Sequence, residues 1–393
     1  VPASGKREVL LSPEAWCLPP RNVRSYLEEL YAAKDIAQAK DILSNYAQCV
    51  LAEEAEGRQK AAVGIRALAD FYLQTGEEVL AGTAAALVTQ LGSETDAALR
   101  QELAKTLLEL VAKSSGATAC ALAWHALEAA AGLRKLSDSA LATQIENQML
   151  ARPHLEQLLH TALTSTTLPP LLPRILAKVP QPAAEILAQW FQPDTAAETK
   201  KRLRALAEQL GEAGIKYFQK QFDTGVAAAV LPILGLFTSL APQTVLSRLP
   251  AMFQRWERRG QDAALQHIVG AGCPQLGQIL LQLLPLAHEY VLPALLDELG
   301  LSGWQAAGPA LIKLAEERSV DAFRRIKAIE ALGRLRWAEA KPTLEKILLA
   351  KSVLRWEEPQ ELRVCAAQSL LEIDPARGQE LLPQAKLSAE EHV

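Results

Sequence analysis

Apolar residues recur at three- and four-residue steps along most of the chain, the spacing that lines one face of a helix. Ile36, Ala39, Ile42, Leu43, Tyr46, Ala47 and Val50 form one such stripe, and Ala62, Ile65, Leu68, Ala69 and Tyr72 form a second. Glu56-Gly57, Thr75-Gly76, Gly92-Ser93 and Ser115-Gly116 offer the turn chemistry that would separate helices. About seven helices in antiparallel hairpins are expected over residues 21–150, followed by a polar stretch from Ser137 to Asn147. Residues 1–20 read as irregular, with Glu8 to Leu11 extended.

Proline divides the pattern. None falls between Arg21 and Arg152, whereas prolines recur from Pro153 to Pro383. A helix interior excludes proline and its first turn accepts it, so the second half should hold many short helices. Corners between them are placed near Pro180, Gly211, Pro242, Gly272, Gly303, Ala338 and Pro375, at gaps of 31, 31, 30, 31, 35 and 37 residues. That is near the length of a helical-hairpin repeat. The plainest unit is RRIKAIEALGRLRWAEAKPTLEKILL, from Arg324 to Leu349. Ala322, Ile326, Ile329, Leu332 and Leu335 make its first apolar face, and Ala340, Leu344, Ile347 and Leu348 its second. The last unit repeats the plan with Leu362, Cys365, Ala366, Ser369, Leu370 and Ile373, after which Asp374 caps a helix that Pro375 begins.

Two strings in these units, Ala331-Leu332-Gly333-Arg334-Leu335 and Arg363-Val364-Cys365-Ala366-Ala367, resemble signatures of HEAT and HEAT-like (bilin-lyase-type) repeats. The resemblance is good over Val320 to Pro383 and degenerate from Leu168 to Leu314. Before residue 150 the helices are equally similar to a tetratricopeptide-style array. The resemblance implies an all-α fold, a right-handed α–α superhelix of the HEAT-like solenoid kind, which binds proteins, peptides or sometimes nucleic acid on its concave face. The organisation expected is an irregular segment over 1–20, helical hairpins over 21–150 and about seven HEAT-like repeats over 151–393. The chain also resembles bacterial HEAT-repeat proteins of unassigned function.

Composition supports this picture. Aromatic residues make up only 5% of the chain, and abundant Ala and Leu suit close helix packing. The net charge of −4 excludes an overall basic footprint for nucleic acid. Cys17, Cys49, Cys120, Cys273 and Cys365 are odd in number and far apart, as expected of reduced, mostly buried thiols in a cytoplasmic protein. The opening Val1 to Arg7 has no apolar run and is not a signal peptide, and a first residue other than Met leaves room for an upstream segment. Two stretches without charge, Thr224 to Ser247 and Ala263 to Ala287, are long enough to span a bilayer. Their prolines and glycines break each into two short helices, so buried repeats are expected there and no membrane span.

No constellation for catalysis emerges, and a non-enzymatic protein without cofactor or metal is expected. There is no Cys-x-x-Cys pair, His-Glu-x-x-His helix, Gly-x-Ser-x-Gly elbow or P-loop. The glycines near Gly270 have the wrong spacing for a dinucleotide fold and mark a corner instead. His288-Glu289 is a single dyad, whereas HEAT-like hydroxylases hold di-iron with several. HEAT-like DNA glycosylases need a basic channel with Trp and Asp side chains. Between Lys313 and Arg363 this chain has twelve Lys/Arg interleaved with nine Asp/Glu, the composition of a helix surface laced with ion pairs. Nucleic acid is therefore an unfavoured partner, and a protein partner is expected. Tryptophans beside arginines suit binding surfaces through stacking. They nominate Arg255, Trp256, Arg259, Arg324, Arg325, Arg336, Trp337, Arg355 and Trp356 as contacts for that partner. The role expected is a scaffold or adaptor, with a glycosylase-like or bilin-lyase-like ligand-handling role as alternatives.

Overall fold

The computed structural model describes residues 3–351 and 356–386. Among these are 24 α-helices and no strand beyond one isolated antiparallel bridge, Lys351 to Trp356, so the fold is all-α. The chain divides into two compact units, Val1–Ile186 with Gln209–Gly214, and Leu187–Glu208 with Ile215–Val393. The division falls later than the proline shift that begins at Pro153.

In the first unit the helices alternate between two layers. Ile36–Gln48 packs on Glu77–Leu91, which packs on Gly116–Lys135; Ala55–Ala67 packs on Ala97–Lys113. First-layer helices start at residues 36, 77 and 116, steps of 41 and 39. Second-layer helices start at 55, 97 and 139, steps of 42 and 42. A tetratricopeptide unit repeats every ~34 residues and a HEAT unit every ~40–47, so this spacing is HEAT-like. The predicted stripes are the buried faces: Ala39, Ile42, Leu43, Tyr46, Ala47 and Val50, then Ala62, Ile65, Leu68, Ala69 and Tyr72, while Ile36 is 36% exposed.

Three local expectations are corrected. Glu56-Gly57 lies inside the helix Ala55–Ala67, because the Trp16 indole lies 3.0 Å from where a Cβ on Gly57 would stand. That glycine is chosen for close approach, not for a turn. Ser137 to Asn147 is mostly helix: Asp138 caps Ser139–Met149, its carboxylate accepting from the Leu141 amide, and Leu141, Ala142, Ile145 and Met149 are buried. Residues 3–10 form a helix, Ala3–Leu10, so Glu8 to Leu10 are not extended. Eight helices from Pro20–Ala32 to Ser139–Met149 stand where about seven were expected.

In the second unit the corners expected at Pro242, Gly272, Gly303 and Pro375 coincide with residues that end or begin a helix by their own backbone chemistry, and the one expected at Ala338 is turned two residues earlier, at Arg336. Pro242 and Pro375 occupy the first turn of Pro242–Phe253 and Pro375–Ala385. Gly272 and Gly303 have φ of +61° and +69°, which glycine adopts without the penalty a Cβ brings. Arg336 takes the same left-handed conformation with φ +50°, closing Ala322–Leu335 before the short 3₁₀ turn Ala338–Ala340. The Asp374 side chain accepts from the Arg377 amide, the expected cap.

The repeat strings have a packing reason. Leu292–Leu301 packs on Ala322–Leu335, which packs on Gln360–Ile373. A Cβ on Gly300 would stand 2.8 Å from the Ala331 Cα, and one on Gly333 would stand 2.8 Å from the Ser369 hydroxyl. Glycine and alanine at these positions let neighbouring helices approach closely. The two charge-free stretches are broken as expected, into Ala227–Leu240 with Pro242–Phe253 and Arg258–Gly270 with Leu276–Leu283. No described helix is long and apolar enough to cross a membrane. Cys49, Cys120, Cys273 and Cys365 are buried free thiols, and Cys17 is an exposed one.

Candidate functional site

Several nominated residues belong to the interior. Trp256 is 9% exposed, and its indole N–H donates to the Gly225 carbonyl at 2.9 Å. Arg325 is 5% exposed; it donates to the Ala315 carbonyl and to the Glu358 carboxylate, both at 2.8 Å. These two hold helix ends together and present little to a partner. Trp337 lies over Gly308, where a Cβ would come within 2.3 Å of the ring, so it closes the gap between repeats. One repeat earlier the base of the Trp304 side chain and the Ser302 hydroxyl stand against Gly277, the Trp304 Cβ 2.2 Å from where a glycine Cβ would lie. Trp356 is half-buried, with Lys351 and the Arg363 guanidinium 3.8 and 3.5 Å from its ring centroid. Arg355 lies outside the described residues.

The other nominees are at the surface. Arg255, Arg259 and Arg336 are exposed, with the Arg255 Nε–H donating to Ala251 O at 3.0 Å. Arg324 is half-buried and pairs with Glu289 at 3.1 Å and Asp321 at 3.0 Å.

Around Arg324 the structure assembles a surface that the sequence reading did not collect. The Arg258 guanidinium lies 4.6 Å from the Tyr290 ring centroid, and His288 stacks on the same tyrosine with centroids 5.6 Å apart. Gln261 fixes this loop to its own helix: its amide N–H bonds the Leu286 carbonyl at 3.3 Å, and its oxygen accepts from the His288 amide at 2.7 Å. The Glu289–Arg324 pair then ties the loop to the start of Ala322–Leu335, where Phe323 stands. Tyr290 is 63% exposed, Phe323 55% and Val226 59%, high values for large apolar side chains. Val226, Arg258, Tyr290 and Phe323 are 32, 32 and 33 residues apart, each within two residues of the start of one of Ala227–Leu240, Arg258–Gly270, Leu292–Leu301 and Ala322–Leu335. The signal was present in that spacing, hidden because it exceeds any single helix.

Most of the basic stretch beyond Lys313 is neutralised. Lys327 pairs with Glu330 and Asp297, Arg334 with Asp297, Lys341 with Asp374, Lys346 with Glu316 and Arg377 with Glu345. The hydrogen bond from Lys327 to Glu330, reinforced by Asp297, holds that ammonium above its ordinary value. Cations committed in this way offer little unopposed charge to phosphates. Arg258 and Arg259 differ, having no carboxylate partner among the described residues.

Cavities give no stronger site. In the first unit a pocket of about 270 Å³ is lined by Leu80, Ala117, Cys120, Pro169, Pro170 and Leu171, with Glu77 and Thr118 at its polar side. A wider depression of about 740 Å³ surrounds Trp16, Cys17 and Asn45. In the second unit an open groove of about 360 Å³ runs between Leu284, Pro285, Leu292 and Leu314. Among the described residues no group of three His, Cys, Asp or Glu side chains could hold a metal ion.

Neither a known protein family nor a curated protein matches the sequence. Among solved structures, an engineered protein from the Northeast Structural Genomics Consortium is similar at 15% identity and TM-score 0.33, covering 94% of both chains. Kap121p is similar at 9% identity and TM-score 0.25, covering 89% of this chain and 40% of that one. Kap121p bound to Nup53p gives 15% identity and TM-score 0.22, covering 98% and 39%. This chain thus spans about two fifths of Kap121p. These overlaps are slight, and the repeat architecture rests on the chain's own helix pairs.

Proposed function

We propose that the chain is a non-catalytic scaffold or adaptor that binds a protein partner on an edge of its C-terminal helical repeats. The observation that carries this reading is the exposure of Tyr290 and Phe323 in a chain with only 5% aromatic residues. Large rings left in water on successive repeats, bordered by arginines, have the composition of protein-contact surfaces. A reducing, cytoplasmic setting belongs to the same proposal, supported by the buried free thiols of Cys49, Cys120, Cys273 and Cys365.

The test is capture by the immobilised full chain from a cell lysate, run beside the Tyr290→Ala/Phe323→Ala variant. A protein retained by the wild type supports the reading, and its loss from the variant places the contact on this edge. Retention of no protein by the wild type, or turnover of a small molecule by the purified chain, overturns it.

A further inference from the structure

We infer that the edge formed by Val226, Arg258, Tyr290 and Phe323 takes an extended segment of a partner protein, carrying adjacent carboxylates flanked by apolar side chains. This rests on the scaffold reading and names the chemistry of the partner.

The length follows from packing. Neighbouring helices lie ~8–10 Å apart, and an extended chain advances ~3.3 Å per residue, so each repeat corresponds to about three partner residues. The four positions lie within two residues of the starts of Ala227–Leu240, Arg258–Gly270, Leu292–Leu301 and Ala322–Leu335; the first two helices pack on each other, as do the last two, and the Arg258–Tyr290 contact spans the middle step, so three steps make a segment of about ten residues. The chemistry follows from what each position lacks. Val226, Tyr290 and Phe323 leave apolar surface in water. Between Val226 and Tyr290 stand Arg258 and Arg259, exposed and without a carboxylate partner among the described residues. Their acidic neighbours are otherwise placed: Glu289 is engaged by Arg324, Asp262 accepts from Gln266 at 3.4 Å, and Glu257 precedes the helix and faces solvent. Two adjacent guanidinium groups suit one or two carboxylates, which they bind by paired charge-assisted hydrogen bonds.

A nucleic acid fits the row less well. Its phosphates need a run of unopposed cations, whereas this row begins with Val226, ends at Phe323, and has Glu289 and Asp321 against Arg324. Phosphates spaced along a strand would meet Arg255 beside Val226 and the Arg258–Arg259 pair, then the Tyr290 and Phe323 rings with Arg324 already paired to two carboxylates.

The probe is a labelled ten-residue peptide with Leu at positions 1, 7 and 10, Glu at 4 and 5, and Ser elsewhere. It is titrated by fluorescence anisotropy against the full chain. A peptide with Lys at positions 4 and 5 and a ten-nucleotide oligo-dT serve as comparisons. The Glu peptide should bind at least about tenfold more tightly than the Lys peptide. Arg258→Glu/Arg259→Glu should reverse that preference, and Tyr290→Ala/Phe323→Ala should weaken both peptides by about tenfold. All four side chains are largely exposed or partnered only at the surface, so circular dichroism should show unchanged helix content in each variant. No binding of the Glu peptide, equal binding of the Lys peptide, tighter binding of oligo-dT, or indifference to both double variants overturns the inference. A captured protein whose binding ignores both variants overturns it while leaving the scaffold reading intact. A chain that captures nothing from lysate overturns the scaffold reading and with it the partner segment, whatever the Glu peptide does.

Discussion

Single positions in this chain are tuned to neighbours a repeat away. Gly308 opens the helix Gly308–Glu316 and would be a poor choice on propensity alone, since alanine costs less in a helix. The Trp337 ring occupies the space its side chain would need. Gly308→Ala should therefore destabilise the protein by about 1–3 kcal/mol, the usual cost of overpacking, as read from the denaturation midpoint. An unchanged midpoint would mean that Trp337 does not seal the gap. Tyr46 presents the opposite case. It is fully buried, its ring lies against Gly64, and its hydroxyl has no hydrogen-bond partner among the described residues. Burial pushes that phenol well above its ordinary value. Tyr46→Phe removes an unsatisfied polar group of about 1–3 kcal/mol desolvation cost, so stability should hold or rise. A fall of more than about 1 kcal/mol would show that the hydroxyl is satisfied after all.

At the scale of elements, helix ends were the most legible feature, because proline, glycine and a capping carboxylate restrict the backbone locally. Pro242, Gly272, Gly303 and Pro375 mark their corners in the structure as the sequence proposes. Gly57 misled, since a glycine that admits Trp16 looks the same in sequence as one that turns the chain. Arg336 closes its helix in a conformation that carries a penalty for any residue with a Cβ. Arg336→Gly should thus stabilise by about 1 kcal/mol, measured by thermal unfolding. Because Arg336 is exposed and lies at the helix end opposite Phe323, the same variant should leave binding at the Phe323 edge unchanged. Weaker binding would place Arg336 in the interface.

Over the whole molecule, charge is interleaved, and many of the described Lys and Arg side chains pair with carboxylates, so a pH response follows. Bidentate hydrogen bonding from Arg377, at 2.8 and 2.9 Å, holds the Glu345 carboxyl below its ordinary value. The Arg377 backbone amide and then Lys341 do the same for Asp374. For Glu94, burial opposes the shift, and hydrogen bonds from Arg58, the Asp96 amide and Gln90 outweigh it. A depressed carboxylate contributes stability that is complete above its unfolded pKa and is lost as pH falls through the folded one. The ordinary values are 4.5 for Glu and 3.8 for Asp, so chemical denaturation should show a loss below about pH 4.5. Glu345→Gln should flatten part of that loss, and an unaltered acid limb would show that the pair adds nothing.

The row of Val226, Arg258, Tyr290 and Phe323 is where sequence and structure part. The apolar periodicity, the prolines and the short backbone devices determined by themselves that the chain is helical, where its later helices break, and that its repeats recur at about thirty to forty residues. Such signals act within one or two turns and survive in a linear string. Which arginine is buried against Glu358, which tryptophan seals a gap, and which rings stand together in water depends on residues a full repeat apart in the sequence. Only the stacking of one hairpin on the next brings those residues within a few ångströms, and that stacking turned the nominated Trp256 and Arg325 inward while it set Tyr290 beside Arg258.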